Sequence, residues 1–204
     1  MLKIRVDFDD VLNDLYVYWI DMHYQCTGER IKNPEWDLHL VSEIGTDIYK
    51  YFEEDDFFLN ISPKDGAIKM MNFIIQNFDY EIVSACNQED GVKDKILFQK
   101  LEWLNTYIPA VETSRFHLTR GSKKKFEADI YLDDKPENLF EIKNKSKALS
   151  IMMNCPHNKL IDVNDLSVEH GVFIERAKNP EQALEILRNV LSFGSIEEYK
   201  RSNE

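Results

Sequence analysis

Residues 2–8 alternate, with Leu2, Ile4, Val6 and Phe8 set against Lys3, Arg5 and Asp7, and this period of two predicts a strand. From Val11 to about Cys26 the apolar positions take helical spacing and include Tyr16, Tyr18, Trp19 and Tyr24; Thr27-Gly28 then supplies a stop. Residues 29–62 differ in kind, because Pro34 interrupts, helical pieces follow, and an acidic run at 53–56 precedes Phe57-Phe58-Leu59. They read as a mostly helical insertion. After Pro63 a regular alternation sets in: helix 66–77, strand 80–84, helix 92–107, strands 115–119 and 129–132, a helix near 137–144, strands 148–153 and 171–174, and a last helix 180–191.

Strands separated by helices of ten or more residues need right-handed crossovers, and so imply a parallel sheet with helices on both faces. The fold class is α/β, a Rossmann-like doubly wound sheet. Ligands of such sheets sit at the carboxyl ends of the strands. The first strand ends in Asp7-Phe8-Asp9-Asp10, where Asp7 and Asp9, two apart, share a side. The next ends at Ser84, the third runs into Gly121-Ser122-Lys123-Lys124-Lys125, and the fourth ends at Asp133-Asp134.

Carboxylates held this close repel unless one is protonated or a cation neutralises them. Magnesium, which takes oxygen ligands from one or two carboxylates, water and a phosphate, suits the set better than zinc or calcium. Lysine and a hydroxyl would then hold phosphate oxygens. Each feature has an ordinary counterpart: Asp133-Asp134 as a turn, Ser84 as a helix cap, the lysines as a solvated loop. Their order along successive strand ends is what accident does not supply.

Composition narrows the function further. At 204 residues, 43% hydrophobic and 12% aromatic, the chain can bury the core of one domain. With 25 Lys and Arg against 37 Asp and Glu, its net charge of −12 repels a nucleic-acid polymer but not a small phosphorylated ligand. Cys26, Cys86 and Cys155 are odd in number and have no zinc spacing, which fits a reducing cytoplasm. The charged N-terminal strand reads as neither signal peptide nor membrane span, so no membrane partner is expected. The five histidines, His23, His39, His117, His157 and His170, share no ligand spacing and receive no role.

These residues together resemble the haloacid dehalogenase (HAD) superfamily and, within it, the 5′(3′)-deoxyribonucleotidases (cytosolic 5′-nucleotidase, deoxy, type C). Residues 6–12 look like the motif with an aspartate nucleophile and a second aspartate two residues on, Ser84 like the Thr/Ser motif, and residues 129–136 like the acidic fourth motif. The branch carries a lysine six residues before the aspartate that opens this last strand, which is Lys123 here. Residues 57–67 resemble the segment leaving the cap, and Cys155-Pro156-His157-Asn158 the Pro-aromatic-Asn segment. Asp10 departs from the usual glycine and Ala85 from a frequent second hydroxyl.

The resemblance implies a HAD core of residues 1–13 and 63–204 with a cap at 14–62. It also implies magnesium-dependent hydrolysis of nucleoside, and in particular deoxyribonucleoside, 5′-monophosphates through an aspartyl-phosphate. Asp7 would be the nucleophile and Asp9 the acid and base; Ser84 and Lys123 would bind phosphate, with metal ligands drawn from Asp7, Asp9, Asp133 and Asp134. Trp36, Phe57 and Phe58 would read the base from the cap, although packing is the ordinary role for at least one phenylalanine. Tyr16, Trp19 and Tyr24 sit at helical spacing and read as packing. A HAD phosphatase for another small phosphate ester, or a phosphate- or metal-binding protein without turnover, are the other readings, and a homodimer is left open.

Overall fold

The structure is a computed structural model that describes residues 1–32, 35 and 37–203. Its elements in chain order are β1 (Lys3–Val6), α1 (Leu15–Thr27), two 3-10 segments (Leu38–Leu40 and Gly45–Glu53), α2 (Ala67–Asn77), β2 (Asp79–Ala85), α3 (Asp90–Tyr107), β3 (Phe116–Thr119) and β4 (Ile130–Asp133). They continue with α4 (Pro136–Phe140), β5 (Leu149–Met153), α5 (Val163–His170), β6 (Phe173–Ala177), α6 (Pro180–Phe193) and α7 (Ile196–Asn203). The six strands form one sheet in the order β3-β2-β1-β4-β5-β6, every pair parallel. The chain winds outward from β1 to β3, then restarts on the other side of β1 with β4. That reversal opens a crevice at the carboxyl ends of the two central strands.

Alternation along β4 shows that both faces are covered. Ile130 and Leu132 join a core with Met70, Met71, Trp103, Leu184 and Leu187, whereas Tyr131 joins a second with Leu139, Ile142 and Ile174. Burying each such side chain contributes about 1.5–3 kcal/mol. Double coverage also explains Arg5, which the alternating pattern sets on a polar face. It is buried, stacked 4.4 Å over Tyr131, and donates to the carbonyls of Lys123 and Asn138.

Residues 15–61 pack mainly on themselves: Leu15, Tyr16, Trp19, Leu38, Ile48, Phe57, Phe58 and Ile61 form a third cluster that meets Cys86 and Ile96. The chain leaves and rejoins the sheet layer side by side. Asn13 and Pro63 form an antiparallel bridge, Asp14 N donates to Ser62 O (3.2 Å), and Lys64 N donates to Leu12 O (2.9 Å).

Four helices differ from the sequence pattern. Helix α1 begins at Leu15 rather than Val11, because residues 8–12 form a turn that buries Val11 and Leu12 completely. α4 stops at Phe140. Helices α5 and α7 carry no legible apolar stripe: α5 buries none of its residues and is set by the Asp162 cap on Asn164 N, while α7 buries only Ile196, Tyr199 and Lys200.

The turn after β1 contains Asp10 at φ 56°, the one non-glycine with positive φ among the described residues. Aspartate tolerates this left-handed conformation better than most side chains. Its Oδ1 accepts from Tyr16 N (3.0 Å) in the first turn of α1, and its own N donates to Asn13 Oδ1 (3.1 Å). Burial first, and the neighbouring Asp134 second, push the Asp10 carboxyl up to about 8. An unfolded aspartate titrates near 4, so between that pH and 8 the folded chain binds the extra proton and loses stability as pH rises. Asp10→Asn keeps the acceptor and the conformation but not the charge. Its melting temperature, measured in EDTA to fix metal content, should lie closest to the parent's at pH 5 and rise progressively above it towards pH 8.5; a constant offset would refute the buried titration.

Candidate functional site

The carboxyl end of β1 places Asp7 beside Asp133 at the end of β4, because Val6 pairs with Leu132 and Asp7 N donates to Leu132 O (2.8 Å). Lys123 Nζ lies between them, 2.6 Å from Asp7 Oδ2 and 3.0 Å from Asp133 Oδ2. All three are buried. Burial raises the Asp7 carboxyl, the Asp133 charge raises it further, and Lys123 offsets only part. Burial opposes the Lys123 ammonium, yet Asp133 and Asp7 hold its pKa above the usual lysine value. Asp133 resists its own burial because Lys123 and Arg5 face it, and its pKa stays below the ordinary range. Lys124 and Lys125 are exposed, Lys124 pairing with Glu141, so the loop delivers one lysine of three to the site.

The two adjacent acids of β4 have different surroundings. Asp133 is saturated: Oδ2 takes Lys123, and Oδ1 takes Asn138 Nδ2 (2.9 Å) and Lys135 N (3.1 Å). Asp134, equally buried, takes neither Lys123 nor Asn138; His157 Nε2 stands 2.9 Å from its Oδ2. Burial, then Asp133, push its carboxyl up to about 7. Asn158 fixes its backbone, Nδ2 donating to Asp134 O (2.6 Å) and Met153 O (2.8 Å). Carboxylate oxygens of Asp7, Asp133 and Asp134 lie within 4.8 Å of one another, a cluster able to hold a metal ion. Asp134, Cys155 and His157 form a second group of that compactness, so the fold brings one of the five histidines against the site.

Asp9, in the turn after β1, is held from the other side. Its Oδ2 accepts from Ser84 Oγ (3.0 Å) at the end of β2 and from Lys100 Nζ of α3, which also donates to Ser84 Oγ (2.8 Å). Lys100, Asn138 and Arg5 belong to no site motif in the sequence pattern, whereas Asn158 belongs to the Pro-aromatic-Asn segment. A signal for Lys100 exists: it lies with Gln99 on the buried stripe Ile96–Gln99–Lys100–Trp103–Leu104, where polar side chains need a reason.

A cavity of about 760 Å³ opens over these groups, lined by Asp7, Asp9, Asp10, Lys100 and Lys123 at its floor. Tyr16, Trp19, Tyr49, Phe52 and Phe58 from the inserted segment line it as well. Phe58 therefore faces the cavity, whereas Phe57 is buried against Tyr18, Phe52 and Phe58 and is not part of the lining. Tyr16 and Trp19, which helical spacing marks as packing, do both: they are buried, and their Oη and Nε1 donate to the carbonyls of Glu35 and Ile48. Ser84 is fully buried behind Ala85 and Cys86, which line the cavity in its place. Trp36 lies outside the described residues.

Comparison with known proteins identifies the arrangement. A family model described as 5′ nucleotidase, deoxy (pyrimidine), cytosolic type C protein matches residues 1–170. No curated protein matches the chain. Among solved structures it is similar to a haloacid dehalogenase-like hydrolase of Burkholderia xenovorans LB400, with 13% identity, a TM-score of 0.51, and coverage of 90% of this chain and 94% of that one. It is also similar to a β-phosphoglucomutase-like structure from Bacteroides vulgatus, with 10% identity, a TM-score of 0.50, and coverage of 94% and 89%. These two likenesses show the α/β fold. Together with the buried acids and lysine at the crevice, the family match establishes that the chain belongs to the cytosolic type C deoxy 5′-nucleotidase family, a nucleotidase-type HAD hydrolase.

Proposed function

We propose that the protein is a magnesium-dependent phosphatase that hydrolyses deoxyribonucleoside 5′-monophosphates through an aspartyl-phosphate. The observation that carries this is the cluster, on a chain of this family, of a lysine-paired Asp7 with a neighbouring Asp134 that lies outside the Lys123 bridge. The residues fit a hard cation for the same reason. Both Asp133 oxygens are already engaged by Lys123, Asn138 and Lys135 N, so Asp7, Asp134 and the Asp9 backbone carbonyl would hold the ion and Asp133 would orient Lys123. When bound, magnesium supplies positive charge that returns the buried acids to carboxylates and shields the phosphate.

The chain's own groups then divide the work. Asp7 forms the new P–O bond as the bond from phosphorus to the sugar oxygen breaks, and Asp9 gives its proton to that leaving oxygen. Asp9 next removes a proton from the water that hydrolyses the aspartyl-phosphate, which releases phosphate and frees Asp7. Lys123, set by Asp133, stabilises the transferring group. The Ser84 hydroxyl, buried behind the cavity lining, donates to Asp9 and so supports the acid rather than the phosphate.

Residues 14–62 act in this scheme as a cap. The cavity volume lies within the range of small-molecule sites, and the aromatic wall of Trp19, Tyr49, Phe52 and Phe58 supports an apolar planar base as the part that is recognised. The pyrimidine in the family's description points the same way. A nucleotide is then the partner, in keeping with the −12 charge. Among the described residues no helix is long and apolar enough to cross a membrane.

Two outcomes test this. Phosphate release from ribo- and deoxyribonucleoside 5′- and 3′-monophosphates should be greatest with deoxyribonucleoside 5′-monophosphates, cease in EDTA and vanish in Asp7→Asn; release from sugar phosphates alone would remove the nucleotide assignment. Lys123→Met should lower kcat by about 10²–10³-fold, as loss of one preorganised charge donor does. The same variant leaves Asp7 buried without its ammonium and Asp133 with Arg5 alone, so thermal and denaturant melts should show a loss of about 3–5 kcal/mol. An unchanged kcat in a folded Lys123→Met would exclude Lys123 from the reaction.

A further inference from the structure

Lys100 is among the largest completely buried side chains of the molecule, 1% exposed, in the middle of the 18-residue helix α3. Taking an ammonium group out of water is expensive, and an apolar residue would fill the same stripe more cheaply. Packing alone does not explain it. Its Nζ has two polar partners, Asp9 Oδ2 and Ser84 Oγ, and sits over the rings of Phe58 at 4.5 Å and Phe8 at 5.0 Å.

The helix that carries it is itself clamped to the segment leaving the cap. Gln99 Oε1 accepts from Phe58 N (2.8 Å), Gln99 Nε2 donates to Glu54 O (2.9 Å), and Trp103 Nε1 donates to Ile61 O (2.7 Å). Lys100 is thus fixed before any ligand arrives. Of the two Asp9 oxygens, Oδ2 receives both donors, and Oδ1 is buried with none among the described residues.

We propose that Lys100 is a positioning residue: with Ser84 it anchors Asp9 Oδ2 and so holds Oδ1, the oxygen left to exchange a proton with the leaving group, in one fixed orientation. The assignment rests on the phosphatase function proposed above and adds to it a residue that acts through Asp9 rather than on the phosphate.

Leaving-group dependence separates these roles. A sugar alkoxide needs a proton to depart, whereas 4-nitrophenolate, a weak base, hardly does. The value of kcat/KM reports only the steps up to expulsion of the leaving group. For Lys100→Met, kcat/KM for a deoxyribonucleoside 5′-monophosphate should fall by about 10²-fold, the typical contribution of a positioned general acid, while that for 4-nitrophenyl phosphate falls by less than about 5-fold. Asp9→Asn should show the same asymmetry. Lys100→Gln, which buries no new apolar volume, provides the same comparison should the methionine variant fail to fold, and a melting curve verifies each protein. Equal losses on both esters would overturn the inference, since a phosphate-binding or merely structural lysine serves both alike; so would undiminished activity. A wild-type protein that hydrolyses neither ester would instead overturn the phosphatase function itself.

Discussion

The structure depends on keeping Asp7, Asp9, Asp133 and Asp134 out of water at the centre of a parallel sheet. At about 4 Å two like charges repel by roughly 4 kcal/mol even in a moderately screened protein environment, and desolvation adds to it. Two ammonium groups answer this, and they do so from different elements. Lys123, on the loop before β4, bridges Asp7 and Asp133, while Lys100, on α3, holds Asp9 with Ser84. Asp134 lies outside both bridges, beside Asp7 and Asp133, with its carboxyl pushed up to about 7.

Topology is what makes so dense a charge cluster affordable. The order β3-β2-β1-β4-β5-β6 puts β1 and β4 side by side in the middle of the sheet, where helices cover both faces and hydrophobic burial is greatest. Arg5 extends the network downward, donating to the carbonyls of Lys123 and Asn138 from a strand position beneath the site. The turn at Asp10 holds a non-glycine in left-handed conformation whose side chain also accepts from Tyr16 N in the first turn of α1. Its side chain exchanges conformational ease for a hydrogen bond to the inserted segment's first helix.

The inserted segment brings its own small core and lends one wall of it to the cavity. Trp19, Phe52 and Phe58 serve both, which is why aromatic content alone could not separate packing from recognition. Two adjacent connections join the segment to the sheet layer, and α3 braces it through Gln99 and Trp103. One element thus carries Lys100 to the floor of the site and also anchors its roof.

The sequence by itself determined the α/β class and nearly all of the strands, because periods of two and of three to four survive in any sheet covered by helices. It also placed Asp7, Asp9, Ser84, Lys123 and Asp133-Asp134 at or just beyond the carboxyl ends of the strands, which a parallel sheet gathers at one edge whatever the packing. The outlying helices α5 and α7 were illegible because they bury little apolar surface. Only the tertiary structure decided which lysine of the 123–125 run turns inward, which acid of the 133–134 pair it bridges to Asp7, and that Phe58 rather than Phe57 lines the cavity. Only it recruited Lys100, Arg5, Asn138 and His157. Local periodicity records which face a residue shares with its neighbours along the chain, whereas a buried charge is answered by whatever partner the fold brings within a few ångströms, here from Asp9 to Lys100 across 91 positions.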